Sequence, residues 1–160
     1  MPAYLEQLLD YNSWATARLL EVLDGAPAEV LDATAAGVYG TIGETMTHLL
    51  NAERSYVARL SGATPPAEPL EVLDLAGLRE QAEQLRAALT ALASRLPEPQ
   101  TVYQRRLGPV TAATVLTQLF QHGCEHRAQV ATILGTHNIH VPSLEPWAHG
   151  RMLAGLPPLA

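Results

Sequence analysis

Residues 118–129 read Gln118-Leu119-Phe120-Gln121-His122-Gly123-Cys124-Glu125-His126-Arg127-Ala128-Gln129, and the rest of the chain is organised around them. Alternating steps of four and three through this region give Val115, Leu119, His122, His126, Gln129 and Ile133. Apolar residues hold both ends of that series and polar ones the middle, which predicts a buried helix with two histidines on its core seam. Histidines four apart project from one helical face about one turn from each other, the spacing of a two-ligand metal clamp. Two core histidines hydrogen-bonded to neighbours would give the same pattern. Their seam positions favour the metal, because each buried imidazole needs a partner to offset the loss of water. Burial also favours the neutral form that ligates. A third ligand has to come from another helix, and His48 is the best candidate.

The chain has 160 residues, enough for one domain with its own core. Leu and Ala dominate while aromatic and β-branched residues are sparse, which favours helix over sheet. All ten basic residues are Arg, against 16 acidic ones, for a net charge of -6. Without a basic cluster the chain is a poor binder of nucleic acid or of anionic membrane surfaces. The single Cys124 excludes an internal disulfide and fits a reducing, cytoplasmic compartment. The N-terminus carries no secretory leader pattern, and no apolar run approaches the ~18–20 residues that span a membrane.

Working outward from the histidine helix, the sequence predicts four helices. The first runs from about Ala3 to Leu23, with Leu5, Leu8, Ala15, Leu19 and Val22 inward and Gly25 and Pro27 as its stop. Residues 26–40 read as a loop with at most a short helical turn. Thr41-Ile42-Gly43-Glu44 is a capping box that starts the second helix, which ends near Leu60 before Ser61-Gly62. Its stripe is Ile42, Thr45, Leu49, Ala52 and Tyr56, with His48 on the edge. Three prolines between Ala63 and Pro69 mark a loop. The third helix has the most regular seam, Leu78, Ala82, Leu85, Leu89, Leu92 and Leu96, and is closed by Pro97 and Pro99. A short extended segment follows, with turn chemistry at Gly108-Pro109. The fourth helix runs from about Thr111 to Leu134, capped by Gly135. A Pro- and Gly-rich tail over residues 135–160 has one or two helical turns from Pro146. The expected fold is all-α: an up-down four-helix bundle of residues 1–160, with a long crossover and a short extended segment before the last helix.

Around the seam, Gln118 and Gln129 both lie near the histidine face, and either could orient a ligand imidazole through its second nitrogen. Arg127 could take a substrate carboxylate, but beside a seam residue it is expected to pair with Glu125 or Glu53. Cys124 lies about 200° round the helix from His122 and reads as packing, not as ligand or nucleophile. His137 and His140 fall in the tail with no acidic partner near them, and His149 has no partner that can be named from sequence.

The segment His122-Gly123-Cys124-Glu125-His126-Arg127-Ala128-Gln129 resembles the H-x-x-x-H-R-x-Q signature of the DinB-like (DinB/YfiT) metal-binding four-helix bundles. Tyr11-Asn12-Ser13-Trp14-Ala15 resembles that family's first helix, and residues 40–53, with His48 ahead of Asn51-Ala52-Glu53, its second. Order and spacing agree over roughly residues 4–134. Two positions depart from the pattern: Glu125 stands where relatives often have His, and Ala128 where they often have Gly. The resemblance implies that His48, His122 and His126 are the metal ligands. It also implies a divalent transition metal, nickel or zinc with iron or manganese as alternatives, and a homodimer.

Three neutral imidazoles would leave coordination positions open to water or to a substrate group. A cation there would acidify water into a nucleophile, or hold a thiol as its thiolate. The resemblance implies the second chemistry, since relatives include low-molecular-weight-thiol S-transferases acting in stress and detoxification. The leading expectation is such a metal-dependent transferase, with a small thiol and an electrophile as partners and Arg127 and Gln129 as accessory residues. The alternatives are a non-catalytic, stress-associated metal-binding dimer and a metal-dependent hydrolase.

Overall fold

The capping box on Thr41 is formed in full in the computed structural model, which describes residues 3–104 and 108–157. Thr41 Oγ1 accepts the Glu44 N–H at 3.1 Å while Glu44 Oε2 accepts the Thr41 N–H at 2.8 Å, satisfying donors that the first helical turn would orphan. Other starts follow the same logic. Asp74 Oδ1 accepts the Gly77 N–H at 2.8 Å and Thr111 Oγ1 the Thr114 N–H at 3.2 Å. The helices are α1 (Ala3–Asp24), α2 (Ile42–Leu60), α3 (Leu75–Ala93), α4 (Ala112–Thr136) and α5 (Pro146–Leu153), the last with Pro at its start. A 3₁₀ turn over Ala28–Asp32 is the helical turn expected in the first long connection.

The extended segment is a two-stranded antiparallel ribbon of β1 (Val102–Tyr103) and β2 (Val110–Thr111), with Val102 opposite Thr111. Gly108 has φ +109°, open to glycine at no steric cost. Residues 105–107 of the expected turn lie outside the described residues.

The fold is all-α, a helical bundle with this small sheet as the only one among the described residues. α1 packs against α3 and α4, and α2 against α4 and α3. The core is aliphatic: Leu9, Leu19, Ile42, Met46, Leu49, Leu50, Leu78, Leu89, Leu92, Leu119, Ile133 and Leu134 are almost fully buried. Each such side chain contributes roughly 1.5–3 kcal/mol by leaving water, so the seam leucines of α3 dominate its position, with the exposed Arg79–Asp24 ion pair to α1 a small addition.

Three expectations need correction. On α1, Leu8 is exposed and Val22 only half-buried, while Tyr11, Asn12 and Thr16 are buried. The true seam holds polar residues, so a reading that follows leucines drifts off it. α3 ends at Ala93 instead of near Leu96, because Pro97 drives the preceding residue out of helical conformation; Leu96 still packs half-buried on the core. α4 continues through Gly135 to Thr136, and Asn138 takes the left-handed position at φ +57°. Asn138 N–H donates to Gly135 O and Ile139 N–H to Leu134 O, a Schellman closure that Ile139 completes by packing on the core.

Candidate metal centre

α2 and α4 lie side by side, and their histidines meet in the seam between them. His48 is half-buried on the edge of a face that otherwise holds Thr45, Leu49 and Ala52. From α4, His122 is half-buried and His126 buried. Their reactive nitrogens converge: His122 Nε2 lies 3.2 Å from His48 Nε2 and 3.2 Å from His126 Nε2. One ligand atom from each residue falls within 4.8 Å of the others. Residues 74 apart in sequence are brought to one point.

Electrostatics hold His122 and His48 in the neutral form that can ligate. Burial first, and then the neighbouring His126 and His48, pull the His122 imidazole down to about 4. The same two causes, burial and then His126, lower His48.

The donor set can be tested for a cation by following the protons. His126 Nδ1–H donates to Gln129 Oε1 at 2.9 Å, which leaves His126 Nε2 with a bare lone pair. A proton on His122 Nε2 can serve one neighbour only, and the other 3.2 Å contact then lacks a bridging hydrogen. With the proton on His122 Nδ1 instead, Nε2 can accept from one neighbour only, and its contact with His126 Nε2 sets lone pair against lone pair. No placement of one proton per ring satisfies all three nitrogens. Three lone pairs around a divalent cation do, and with bonds of ~2.0–2.1 Å at roughly tetrahedral or octahedral angles they would sit about 2.8–3.4 Å apart. The residues therefore fit a metal, and the three-histidine group could hold one.

The family model described as DinB superfamily matches residues 11–130, a span that contains all three histidines. The chain belongs to the DinB superfamily. No curated protein matches it. No helix among the described residues of this DinB protein is long and apolar enough to cross a membrane.

Around the cluster, the structure separates the other candidates. Of the two glutamines only Gln129 reaches the histidine cluster; Gln118 is exposed. Gln129 Oε1 also accepts the Tyr39 N–H at 3.3 Å. The Tyr39 ring stacks on His48, centroids 4.2 Å apart and 17° from parallel, and meets His126 edge-on. In sequence Tyr39 carries little signal beyond an aromatic in a loop flanked by Gly37 and Gly40, the former at φ +83°. Tyr56, read as core, stands edge-on to His122 at 6.0 Å.

Arg127 does not pair with Glu125, which is exposed, nor bond Glu53 directly. Its buried guanidinium turns to α1, where Nη1 donates to Asn12 Oδ1 at 3.1 Å and Thr16 Oγ1 at 3.2 Å. Asn12 Nδ2 in turn donates to Glu53 Oε1 at 2.8 Å. Burial raises the Glu53 carboxyl, and the Asn12 hydrogen bond and the Arg127 charge pull it back. Gly123 makes room: a Cβ there would lie 2.8 Å from both Arg127 Nη1 and Asn12 Oδ1. Arg127 is thus engaged away from the three Nε2 atoms.

Cys124 is exposed, with Sγ 3.7 Å from Arg127 Nη2, and is outside the histidine cluster. His137 and His140 are exposed. His149 corrects the reading of the tail. It is buried, its Nε2 lies 3.0 Å from Asp10 Oδ2, and its ring packs on Trp14 and Tyr11. Tyr11 Oη donates to Leu144 O at 3.0 Å, so residues 139–149 are docked on α1 and are not a loose tail.

Proposed function

We propose that this DinB protein holds one divalent transition metal, nickel or zinc with iron or manganese as substitutes, on His48, His122 and His126. We propose further that it is a metal-dependent S-transferase for a low-molecular-weight thiol. The observation that carries the reading is the convergence of three Nε2 atoms that no arrangement of their own protons satisfies. A cation on three imidazoles supplies Lewis acidity at its remaining positions, which favours thiolate over thiol.

The chain's own groups do the rest. Gln129 holds the Nδ1 proton of His126 and so fixes the tautomer that presents Nε2. The depressed His122 basicity keeps its lone pair free at neutral pH. Tyr39 covers one face of His48 and limits the approach of water. In the transfer the thiol sulfur bonds to the electrophilic carbon, its proton passes to solvent, and the leaving group departs with the electron pair of the broken bond.

Elemental analysis of the purified protein, followed by thiol consumption assays with an electrophile, tests both halves. About one metal per chain and metal-dependent thiol loss are expected. A metal-loaded protein that consumes none of the thiols supplied would overturn the transferase. Turnover of an ester or amide without added thiol would replace it with a hydrolase. A homodimer in the cytoplasm is part of the same proposal, and sedimentation velocity checks the dimer.

A further inference from the structure

Of the three histidines, only His126 has its second ring nitrogen satisfied, by Gln129. His122 Nδ1 is buried without a partner, and His48 Nδ1 makes no hydrogen bond among the described residues. A ligating imidazole needs its ring plane fixed, a task that a hydrogen bond to the second nitrogen usually performs. His122 is walled instead by the rings of His48, His126 and Tyr56. His48 stands at the edge of its helix face and lines a cleft of about 480 Å³, so it has less to hold it. What it has is Tyr39, whose ring lies 4.2 Å from the imidazole and 17° from parallel. A ring stacked so closely resists rotation of the imidazole out of its plane.

The loop that carries Tyr39 is built to hold it there. Its ends meet: Ile42 N–H donates to Ala33 O at 3.0 Å, and Thr34 Oγ1 donates to Gly40 O at 3.0 Å. Gly37 turns the chain at φ +83°, and Val38 packs on the core. Gly40 lies against Glu44, where a Cβ would meet Oε2 at 2.6 Å. Tyr39 itself remains 55% exposed, and its aromatic neighbours are His48 and His126. Its hydroxyl makes no hydrogen bond among the described residues, so neither burial nor the phenol group accounts for where the ring sits. The main chain adds a second tie. Tyr39 N–H donates at 3.3 Å to Gln129 Oε1, the same oxygen that takes the His126 Nδ1 proton at 2.9 Å.

We infer that Tyr39 is a positioning residue for the metal centre, and that its loop and the metal order one another. The ring fixes the plane of His48 from α2, and the main chain, through Gln129, ties the same loop to His126 from α4. Residues 33–42 thus bridge the two helices that supply the ligands. A metal that fixes His48 and His126 gives the loop two firm supports. By linkage, the ordered loop strengthens metal binding by the same factor. This role rests on the metal reading of the cluster and is independent of the thiol chemistry.

Wild type, Tyr39→Phe and Tyr39→Leu decide it, since an exposed loop position leaves the helical circular dichroism intact. Zinc affinity is measured by competition with a chromophoric chelator, and coordination geometry by the visible absorption of the cobalt(II) form. Tyr39→Leu loses the stack and is expected to bind zinc roughly threefold to tenfold more weakly, with altered cobalt band intensities. Tyr39→Phe keeps the stack and is expected to restore both. Zinc is also expected to slow hydrogen exchange of the residue 39 amide in the wild type, and by less in Tyr39→Leu. Wild-type affinity and spectrum in Tyr39→Leu, a Tyr39→Phe as weak as Tyr39→Leu, or a wild-type amide indifferent to zinc each overturns the role. A wild type that binds neither zinc nor cobalt overturns the metal reading itself, and this role with it.

Discussion

α4 turns two faces inward, and they treat buried polarity in opposite ways. Toward α1, Arg127, Asn12, Thr16 and Glu53 form a closed set in which the guanidinium and the amide each find partners and the two charges offset one another. Toward α2, three imidazoles of like character crowd together, and their Nε2 contacts cannot all be bridged by the protons they carry. A network complete in itself holds helices together. A network that lacks one component in its middle is a binding site. Both lie within a few residues of each other, so residue type alone does not distinguish them.

Removing one member from each face separates the two networks most directly. His126→Ala should abolish stoichiometric metal binding, read by elemental analysis after dialysis, while the metal-free protein keeps its helical circular dichroism. Retention of a full equivalent of metal would mean that the ligands are elsewhere. Arg127→Ala should do the reverse. By stranding a buried Glu53 it should cost about 3–5 kcal/mol in urea unfolding, with the metal stoichiometry of the folded protein unchanged. A cost near zero would show that Glu53 is buried protonated and needs no counter-charge.

Smaller effects refine the boundary between the two regions. Gln129→Ala removes the acceptor of the His126 Nδ1 proton and should weaken metal affinity by roughly 10–100-fold without losing the site. A competition titration with a chromophoric chelator measures it, and an unchanged affinity would leave Gln129 a mere loop contact. The smallest effect is on the metal-free protein's pH profile. His122 and His48 are lowered in the folded state, so only the unfolded chain gains their protons as pH falls below about 6.5. Stability should therefore decline between about 6.5 and about 4, with no contribution from these groups above that window. His122→Leu should flatten the decline in thermal melts, and an unaltered slope would assign it to other groups.

Much of this was legible in the sequence because it is local. Helix periods, the Thr41 capping box, the proline stops and the placing of His122 and His126 one turn apart depend only on residues three or four positions away. His48 by itself is one histidine beside an apolar stripe; the need for a third ligand on another helix picked it out, and the family signature then implied it. The packing of helices decided the remainder. It set which glutamine meets the histidine cluster, turned Arg127 to Asn12 and not to a neighbouring acid, and brought Tyr39 over His48. It also buried His149 on Trp14 and Asp10, a contact 139 residues apart in sequence. Sequence periodicity says which face of a helix turns inward. What that face meets there is fixed only when a second helix, with its own register, is laid against it.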